Sequence, residues 1–113
     1  PRNDGSFLYF AAMVFQRGGC VYIMTNKTHS VLYVGVTSDI LGRVWDHKNK
    51  THPNSFTAKC NCNKLVYYEF YPRIEEAIAT EKAIKGGSRD RKIQLINSMN
   101  PKWDDLYDIL MNE

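Results

Sequence analysis

The sequence predicts a small α+β protein in which helices cover one antiparallel sheet. Residues 20–25, 30–36 and 64–71 are rich in β-branched and aromatic side chains, and turn-forming or polar residues bound them. Other segments carry apolar residues at helical spacing. The chain has 113 residues, of which 43% are hydrophobic, so we expect one domain with one core. The predicted order is β-β-α-β-α-α-α.

The first two strands are predicted to form a hairpin around the polar residues 26–29. If those four residues are the loop, Thr25 pairs with Ser30. Continuing this register places Tyr22 opposite Tyr33, with both rings on one face of the sheet. The hairpin therefore predicts two neighbouring phenols.

The first helix is predicted over residues 40–49, after Ser38 or Asp39 as its N-cap. Arg43 and His47 are four residues apart and therefore share one face of this helix. Its expected buried stripe consists of Ile40, Leu41, Val44 and Trp45.

Residues 50–63 are predicted to form a long basic loop, since they contain Pro53 and have no sustained periodicity. Between Asp46 and Glu69 the chain has no carboxylate and four lysines, which are Lys48, Lys50, Lys59 and Lys64. Charges of one sign can follow a phosphate backbone, and they are equally typical of a solvated loop. Both interpretations stay open on the sequence alone.

The third strand is predicted over residues 64–71, and a helix over residues 74–85 that ends at the two glycines 86–87. Ser88 is expected to cap another helix, which runs to about Met99. A last helix is predicted to begin with Asn100 as its cap and Pro101 as its first residue. Its expected buried residues are Trp103, Leu106, Tyr107 and Leu110, with its acids outward.

The net charge of +3 weakly indicates an anionic partner, and the charge is uneven along the chain. Residues 17–102 carry +7, whereas residues 103–113 carry −4. We expect residues 1–18 to be an N-terminal extension, which could be upstream or added sequence, and residues 19–113 to form the domain.

Compartment is predicted from the cysteines and from the apolar segments. The three cysteines, two of them separated by a single residue, do not form the set of a secreted disulfide framework. The apolar run at residues 7–15 is shorter than the roughly 18 residues that span a bilayer. Asp4 precedes that run and no small-residue cleavage site follows it, which argues against a signal peptide. We therefore expect a cytoplasmic protein.

Glu81 lies on or beside the apolar stripe of its helix, close to Ala77, Ile78 and Ile84. A carboxylate that faces the protein is costly unless it is paired or binds a cation. One interpretation is an ion pair with Lys85, four residues later. The other is a ligand for a hard cation such as Mg²⁺.

A zinc site built from two histidines and two cysteines is the rival metal site. Its residues would be His47, His52, Cys60 and Cys62. The Cys-x-Cys spacing is tighter than the usual Cys-x₂₋₄-Cys, and the histidines are not four residues apart. We therefore expect free thiols there.

Five residues together are suited to phosphodiester hydrolysis, although each has an ordinary structural explanation alone. Glu81 can hold a hard cation, Arg43 can bind phosphate oxygens with its two-pronged guanidinium, and phenols can position or deprotonate water. The set is Tyr22, Tyr33, Arg43, His47 and Glu81.

The spacing of these residues resembles that of the GIY-YIG nuclease superfamily. Residues 20–22 (Cys-Val-Tyr) and 33–35 (Tyr-Val-Gly) are similar to its two name motifs, with Cys20 in place of a glycine. Arg43, His47 and Glu81 follow in the family's order. Residues 21–110 as a whole resemble the small stand-alone bacterial members.

The resemblance implies a divalent-metal endonuclease with a central three-stranded antiparallel sheet. It implies that Glu81 holds Mg²⁺, or alternatively Mn²⁺, and that Tyr22 activates or positions water beside Tyr33. Arg43 would stabilise charge on the phosphoryl group, and His47 would orient groups or act as a base. Expected nucleic-acid contacts are Lys48, Lys50, Lys59, Lys64 and Lys85.

Asn100 corresponds to a later asparagine of the family, and helix capping is its alternative role. No sequence-reading module accompanies the domain, so we expect structure-directed or weakly specific cleavage of branched, flapped or nicked DNA, in repair or recombination. RNA is kept as an alternative substrate. The rival functions are a nucleic-acid-binding module without turnover and a small interaction protein.

Overall fold

A three-stranded antiparallel sheet with the order β2-β1-β3 is the centre of the structure, a computed structural model that describes residues 18–112. The strands are β1 (Gly19–Thr25), β2 (Leu32–Thr37) and β3 (Lys64–Tyr71). The helices are α1 (Ile40–Asn49), α2 (Phe56–Lys59), α3 (Ile74–Lys85), α4 (Arg89–Met99) and α5 (Tyr107–Met111). The predicted fold class and the order of strands and main helices are confirmed. The predicted N-terminal extension lies, except for Gly18, outside the described residues.

The central strand β1 is buried along its whole length, because helices cover both faces of the sheet. Successive side chains of a strand point to opposite faces. On one face Tyr22 and its neighbours pack against α1 and α5, through Val44 and Leu110. On the other face Val21 packs with α3 and α4, through residues such as Ile96. The tyrosine predicted to be functional therefore lies beneath α1.

The predicted hairpin register is wrong by two residues. Tyr22 pairs with Gly35, and Tyr33 pairs with Met24. The loop is longer than four residues because the Asn26 side chain accepts hydrogen bonds from the backbone N–H groups of residues 30 and 31, at 2.9 and 3.1 Å. A shift of two residues preserves the face of every side chain, so both tyrosines still share one face.

Gly35 leaves the space that the Tyr22 ring occupies. A Cβ atom at residue 35 would overlap the ring and hydroxyl of Tyr22, well inside van der Waals contact. Since Gly35 is the direct cross-strand partner of Tyr22, the ring occupies the space that a side chain at residue 35 would fill.

Helix α1 begins and ends where the sequence predicts, and Asp39 caps it by accepting a hydrogen bond from the N–H of Gly42. The predicted stripe is only partly right, because Trp45 is 52% exposed and His47 is buried instead. At 3.6 residues per turn, residue 45 lies about 140° around the helix from Ile40, whereas residue 47 returns to the same side. This turn of the helix directs His47 towards Tyr22.

The loop predicted over residues 50–63 contains one short helix, α2. Ser55 caps it, since its hydroxyl accepts a hydrogen bond from the N–H of Ala58 at 3.3 Å. The cap directs Thr57 inward, where only 4% of this residue is exposed. The loop therefore has a fixed, buried anchor close to α1.

The predicted last helix is wrong at its start, because it begins at Tyr107 and not at Pro101. Asn100 instead ends α4, and its buried side chain donates to the carbonyls of Val66 and Asp104 and accepts from the N–H of Asp104. These bonds hold the chain in a turn, with Trp103 at a φ of 56°. Asn100 therefore joins the end of α4 to β3.

Among the described residues, none of the helices combines the length and the apolar character that crossing a bilayer requires.

We expect Gly35→Ala to lower the free energy of unfolding by about 1–3 kcal/mol, because the added methyl group overlaps the buried Tyr22 ring. Chemical denaturation measures this change. Gly86→Ala is the control, since a Cβ there meets only ordinary contacts and Gly86 has a helical backbone. That variant should be neutral or slightly more stable. Equal effects of the two substitutions would contradict the proposed close fit.

Candidate active site

Tyr22 is at the centre of the candidate site and is 1% exposed. Its phenol oxygen lies 3.0 Å from Nε2 of His47. The Tyr33 ring is adjacent, with its centroid 6.4 Å from that of Tyr22 and 5.7 Å from that of His47. The hairpin and helix α1 thus bring three predicted residues into contact.

His47 is held on both of its ring nitrogens. Nδ1 lies 3.0 Å from the hydroxyl oxygen of Thr57, and that oxygen lies 3.3 Å from the hydroxyl oxygen of Ser55. Neither hydroxyl residue is predicted from the sequence. Ser55 could have been recognised, because serine is a common N-cap residue and Ser55 caps the helix three residues before Ala58. The contact of Thr57 with His47, in contrast, depends on how the loop folds back.

Burial keeps both members of the Tyr22–His47 pair uncharged near neutral pH. It raises the pKa of Tyr22, and the neighbouring Tyr33 raises it further, while the charge and hydrogen bonding of Arg43 act in the opposite direction. Burial also lowers the pKa of His47 to about 4, assisted by the positive charge of Arg43. The pair is therefore a neutral phenol beside a neutral imidazole.

Arg43 and His47 line one cleft, as their spacing on α1 predicts. Tyr33 forms part of its wall, and Phe56 of α2 lies at its mouth with 56% of its surface exposed. The rings of Tyr33 and Phe56 are stacked, with centroids 6.4 Å apart and planes 30° apart. Lys50 and His52 add basic groups to the rim.

Glu81 faces the protein from α3, as the sequence predicts, and is 8% exposed. The adjoining apolar position Ile78 is 38% exposed, so the buried stripe follows Ala77 and Glu81 instead. Oε2 of Glu81 lies 2.9 Å from Nζ of Lys85. The same Nζ lies 5.8 Å from the ring centroid of Tyr33. Lys85 therefore lies between the Glu81 carboxylate and the ring of Tyr33.

The metal-binding capacity of the site is that of one carboxylate. Within residues 18–112, no group of three or more His, Cys, Asp or Glu side chains converges as a protein-only metal site would need. Mg²⁺ commonly keeps several waters and takes one or two carboxylates together with substrate phosphates. Glu81 fits that mode, provided that Lys85 shares or releases the carboxylate.

The zinc alternative has no support among the described residues. His47 already uses both ring nitrogens, on Tyr22 and Thr57. Cys60 and Cys62 are free thiols, and burial raises the pKa of Cys62 to about 11, which disfavours the thiolate that zinc binds.

The five predicted lysines separate into groups. Lys50 lies at the cleft and donates to the side chain of Asn61 at 2.6 Å, and Lys85 lies beside Tyr33. Lys59 is exposed in the last turn of α2.

The remaining two lysines lie together in a depression away from the cleft. Lys48 forms an ion pair with Asp105 and donates to the Asn63 carbonyl, and Lys64 lies 3.0 Å from Nε2 of His29. Internal contacts therefore hold both of these side chains.

Comparison with known proteins places this geometry in a family. Residues 18–94 match the family model described as the GIY-YIG catalytic domain, a range that contains Tyr22, Tyr33, Arg43, His47 and Glu81. A UPF0213 protein of Clostridium perfringens is 38% identical over 82 residues, which are 73% of this chain and 86% of that protein. The solution NMR structure of a UPF0213 protein from Bacillus halodurans is similar, with 28% identity and a TM-score of 0.50. That match covers 78% of this chain and 92% of the other.

The depressed pKa of His47 predicts a loss of stability in mild acid. Protonation is harder in the folded state, so stability is complete above the unfolded pKa of 6.5 and falls as the pH approaches about 4. We expect a loss of up to about 3 kcal/mol over that range. Denaturation curves at several pH values measure it, and His47→Gln should flatten the dependence.

His52→Gln is the control for this measurement, because His52 is exposed. It should leave most of the pH dependence in place, because the charge of His52 is the smallest of the influences on the pKa of His47. A dependence that persists in His47→Gln would assign the effect to other groups.

Proposed function

Because this chain belongs to the GIY-YIG catalytic-domain family, we propose that it is an endonuclease that hydrolyses DNA phosphodiester bonds with the help of Mg²⁺. One observation carries the proposal: Tyr33, Arg43 and His47 line one cleft, and the buried Tyr22 lies directly behind it, in contact with His47 and Tyr33. Glu81 reaches the same group of side chains through Lys85.

Arg43 is the residue that binds the phosphoryl group. It lines the cleft, and its guanidinium is near enough to Tyr22 to stabilise negative charge on the phenol oxygen. The same charge would stabilise the phosphoryl oxygens as the bond to the attacking water forms.

Tyr22 and His47 act together on the attacking water. His47 is neutral and can accept a proton, and Tyr22 joins it by a hydrogen bond of 3.0 Å. Since Tyr22 is 1% exposed, side chains at the mouth of the cleft must move when substrate binds, so that water reaches the phenol.

Glu81 is the residue that holds the cation, together with waters and the substrate phosphate. When bound, Mg²⁺ would withdraw charge from the phosphoryl oxygens and acidify a coordinated water. Lys85 would then leave Oε2 of Glu81 and become available to bind phosphate. Its present position beside Tyr33 keeps it within the site.

The cleft favours flapped, branched or nicked DNA, with weak sequence specificity. Phe56 is a large exposed ring beside the basic residues Arg43 and Lys50. Exposed aromatic rings flanked by cations stack unpaired bases of any sequence, and such bases occur at junctions and flaps. RNA offers the same stacking and stays an alternative substrate.

A cytoplasmic role in repair or recombination agrees with the cysteines, which are free thiols at residues 20, 60 and 62. Such DNA structures arise as intermediates of those processes.

A nucleic-acid-binding module without turnover is the second candidate. Two observations favour it: the carboxylate of Glu81 is neutralised by Lys85, and the Tyr22 hydroxyl is closed off from solvent. Such a module would bind DNA with a steep salt dependence and leave it intact.

Cleavage of labelled linear, flapped and four-way-branched DNA, with Mg²⁺ or with EDTA, separates the two candidates. We expect Mg²⁺-dependent cutting that Glu81→Gln reduces to background while DNA binding is retained. Arg43→Ala should lower kcat by about 10²- to 10³-fold. Glu76→Gln, an exposed carboxylate on the same helix, is the control and should cut normally.

Two results would contradict the nuclease proposal. Binding without cutting on every substrate would support the second candidate. Cutting that survives both the Glu81 and the Arg43 substitutions would indicate a contaminating enzyme.

Phe56→Ala should weaken binding to flapped DNA by about 1–3 kcal/mol, the usual value of one stacked base. Trp45→Ala is a matched control, because Trp45 is 52% exposed on the outer side of α1 and does not line the cleft. Fluorescence anisotropy at fixed salt measures both. Equal losses in the two variants would show that general surface hydrophobicity, and not this ring, contributes to binding.

A further inference from the structure

The positions of the heavy atoms around His47 do not by themselves show which atom of each hydrogen bond is the donor and which is the acceptor. A neutral imidazole carries its proton on only one nitrogen, and a hydroxyl can either donate or accept. Within residues 18–112, every buried nitrogen or oxygen atom of a side chain has a hydrogen-bond partner. We therefore expect each donor and each acceptor in this group to be paired. The fixed donor in the neighbourhood is Arg43, which can only donate.

The direction follows from Tyr22. Its hydroxyl stays protonated because burial raises its pKa, and the nearby guanidinium of Arg43, which has no acceptor, cannot take the hydroxyl hydrogen. The buried hydroxyl hydrogen must therefore find an acceptor, and Nε2 of His47 lies 3.0 Å away. Nε2 can accept only if it carries no proton.

The proton of the neutral His47 ring is therefore on Nδ1. Nδ1 donates to the hydroxyl oxygen of Thr57 at 3.0 Å. Thr57 in turn is free to donate to the hydroxyl oxygen of Ser55 at 3.3 Å, and that oxygen also accepts from the N–H of Ala58. The group forms one chain of bonds that all run outward from Tyr22 to the N-terminus of α2.

We propose that Thr57 is a positioning residue that holds His47 in the Nδ1–H tautomer, so that Nε2 is the acceptor for the Tyr22 hydroxyl. Thr57 suits this role because it is 4% exposed and the Ser55 cap fixes its backbone at the start of α2. Without its hydroxyl, Nδ1–H would lack an acceptor in a buried place. Loss of this acceptor removes the bond that favours a proton on Nδ1, so the Nδ1–H and Nε2–H forms come closer in free energy and the acceptor of Tyr22 is no longer fixed.

The catalytic consequence rests on the proposed nuclease function, whereas the tautomer does not. The full-length protein, labelled with ¹⁵N in its imidazole rings and free of DNA and metal, allows the tautomer to be read at neutral pH by NMR. The lowered pKa of His47 makes the ring neutral there. We expect a pyridine-like shift for Nε2 and a pyrrole-like shift for Nδ1.

Three variants test the part played by Thr57. Thr57→Val is nearly isosteric and should lose the Nδ1–H preference, and Thr57→Ser should restore it. Thr57→Ala removes the hydroxyl without a new methyl group, in case the valine variant does not fold. The matched control Thr51→Val changes an exposed threonine of the same loop and should leave the spectrum as it is.

Pyrrole-like Nε2 in the native protein would overturn the proposal, and so would an unchanged tautomer in a folded Thr57→Val or Thr57→Ala variant. If the protein cleaves DNA, Thr57→Val should also lower kcat by about 10- to 100-fold, as the loss of a group that orients a functional histidine does, with Thr57→Ser close to native. A tautomer as expected in a protein that cuts no DNA would leave this inference standing and reject the nuclease proposal alone.

Discussion

The hydroxyl of Tyr22 is buried in the middle of the protein, and satisfying it there constrains much of the fold around it. A buried phenol without a partner would cost about 1–3 kcal/mol. The hairpin must place Gly35 beneath the ring, because a side chain would collide with it. Helix α1 must present His47 to the hydroxyl, and it does so at the expense of Trp45, which is left in solvent.

The charges near this phenol are arranged so that the burial stays tolerable. Arg43 lines the cleft and is partly exposed. Glu81 is nearly buried but carries its own counter-ion in Lys85. The pKa of His47 is low because a positive charge on this ring would be buried away from water and would lie close to the positive charge of Arg43. An anionic ligand would relieve the repulsion between the cations of this site.

Local signals in the sequence were sufficient to predict the bounds of the helices that have clear capping residues or a glycine stop. Caps at Asp39 and Ser88 and the paired glycines after Lys85 place the helices, since these residues act on backbone groups within one turn. The hairpin register was missed because it depends on Asn26, whose side chain can cap a loop of either length. The error in register did not change the predicted site, because side-chain direction repeats every two residues along a strand.

The missed roles of Asn100 and Thr57 share one cause, which is that their partners are distant in sequence. Asn100 looks like the cap of a following helix, yet it binds the carbonyl of Val66, 34 residues away. Thr57 has nothing nearby that marks it, and its role appears only when α2 folds against His47. Spacing along the predicted elements and the family resemblance both pointed to the candidate residues, which are Tyr22, Tyr33, Arg43, His47 and Glu81, but neither indicates such supporting contacts.

The contact between Lys48 and Asp105 ties helix α1, which carries His47, to the C-terminal segment of the domain. Asp105 also accepts the backbone N–H groups of Leu65 and Tyr107, so it anchors β3 and α5 at once. The positions of Lys48 and Asp105 therefore depend on each other. A lineage that loses Lys48 leaves the partly exposed Asp105 carboxylate without its counter-ion. A lineage that loses Asp105 leaves the Lys48 cation beside the Tyr107 ring without its carboxylate partner. Related sequences should therefore change the two residues together.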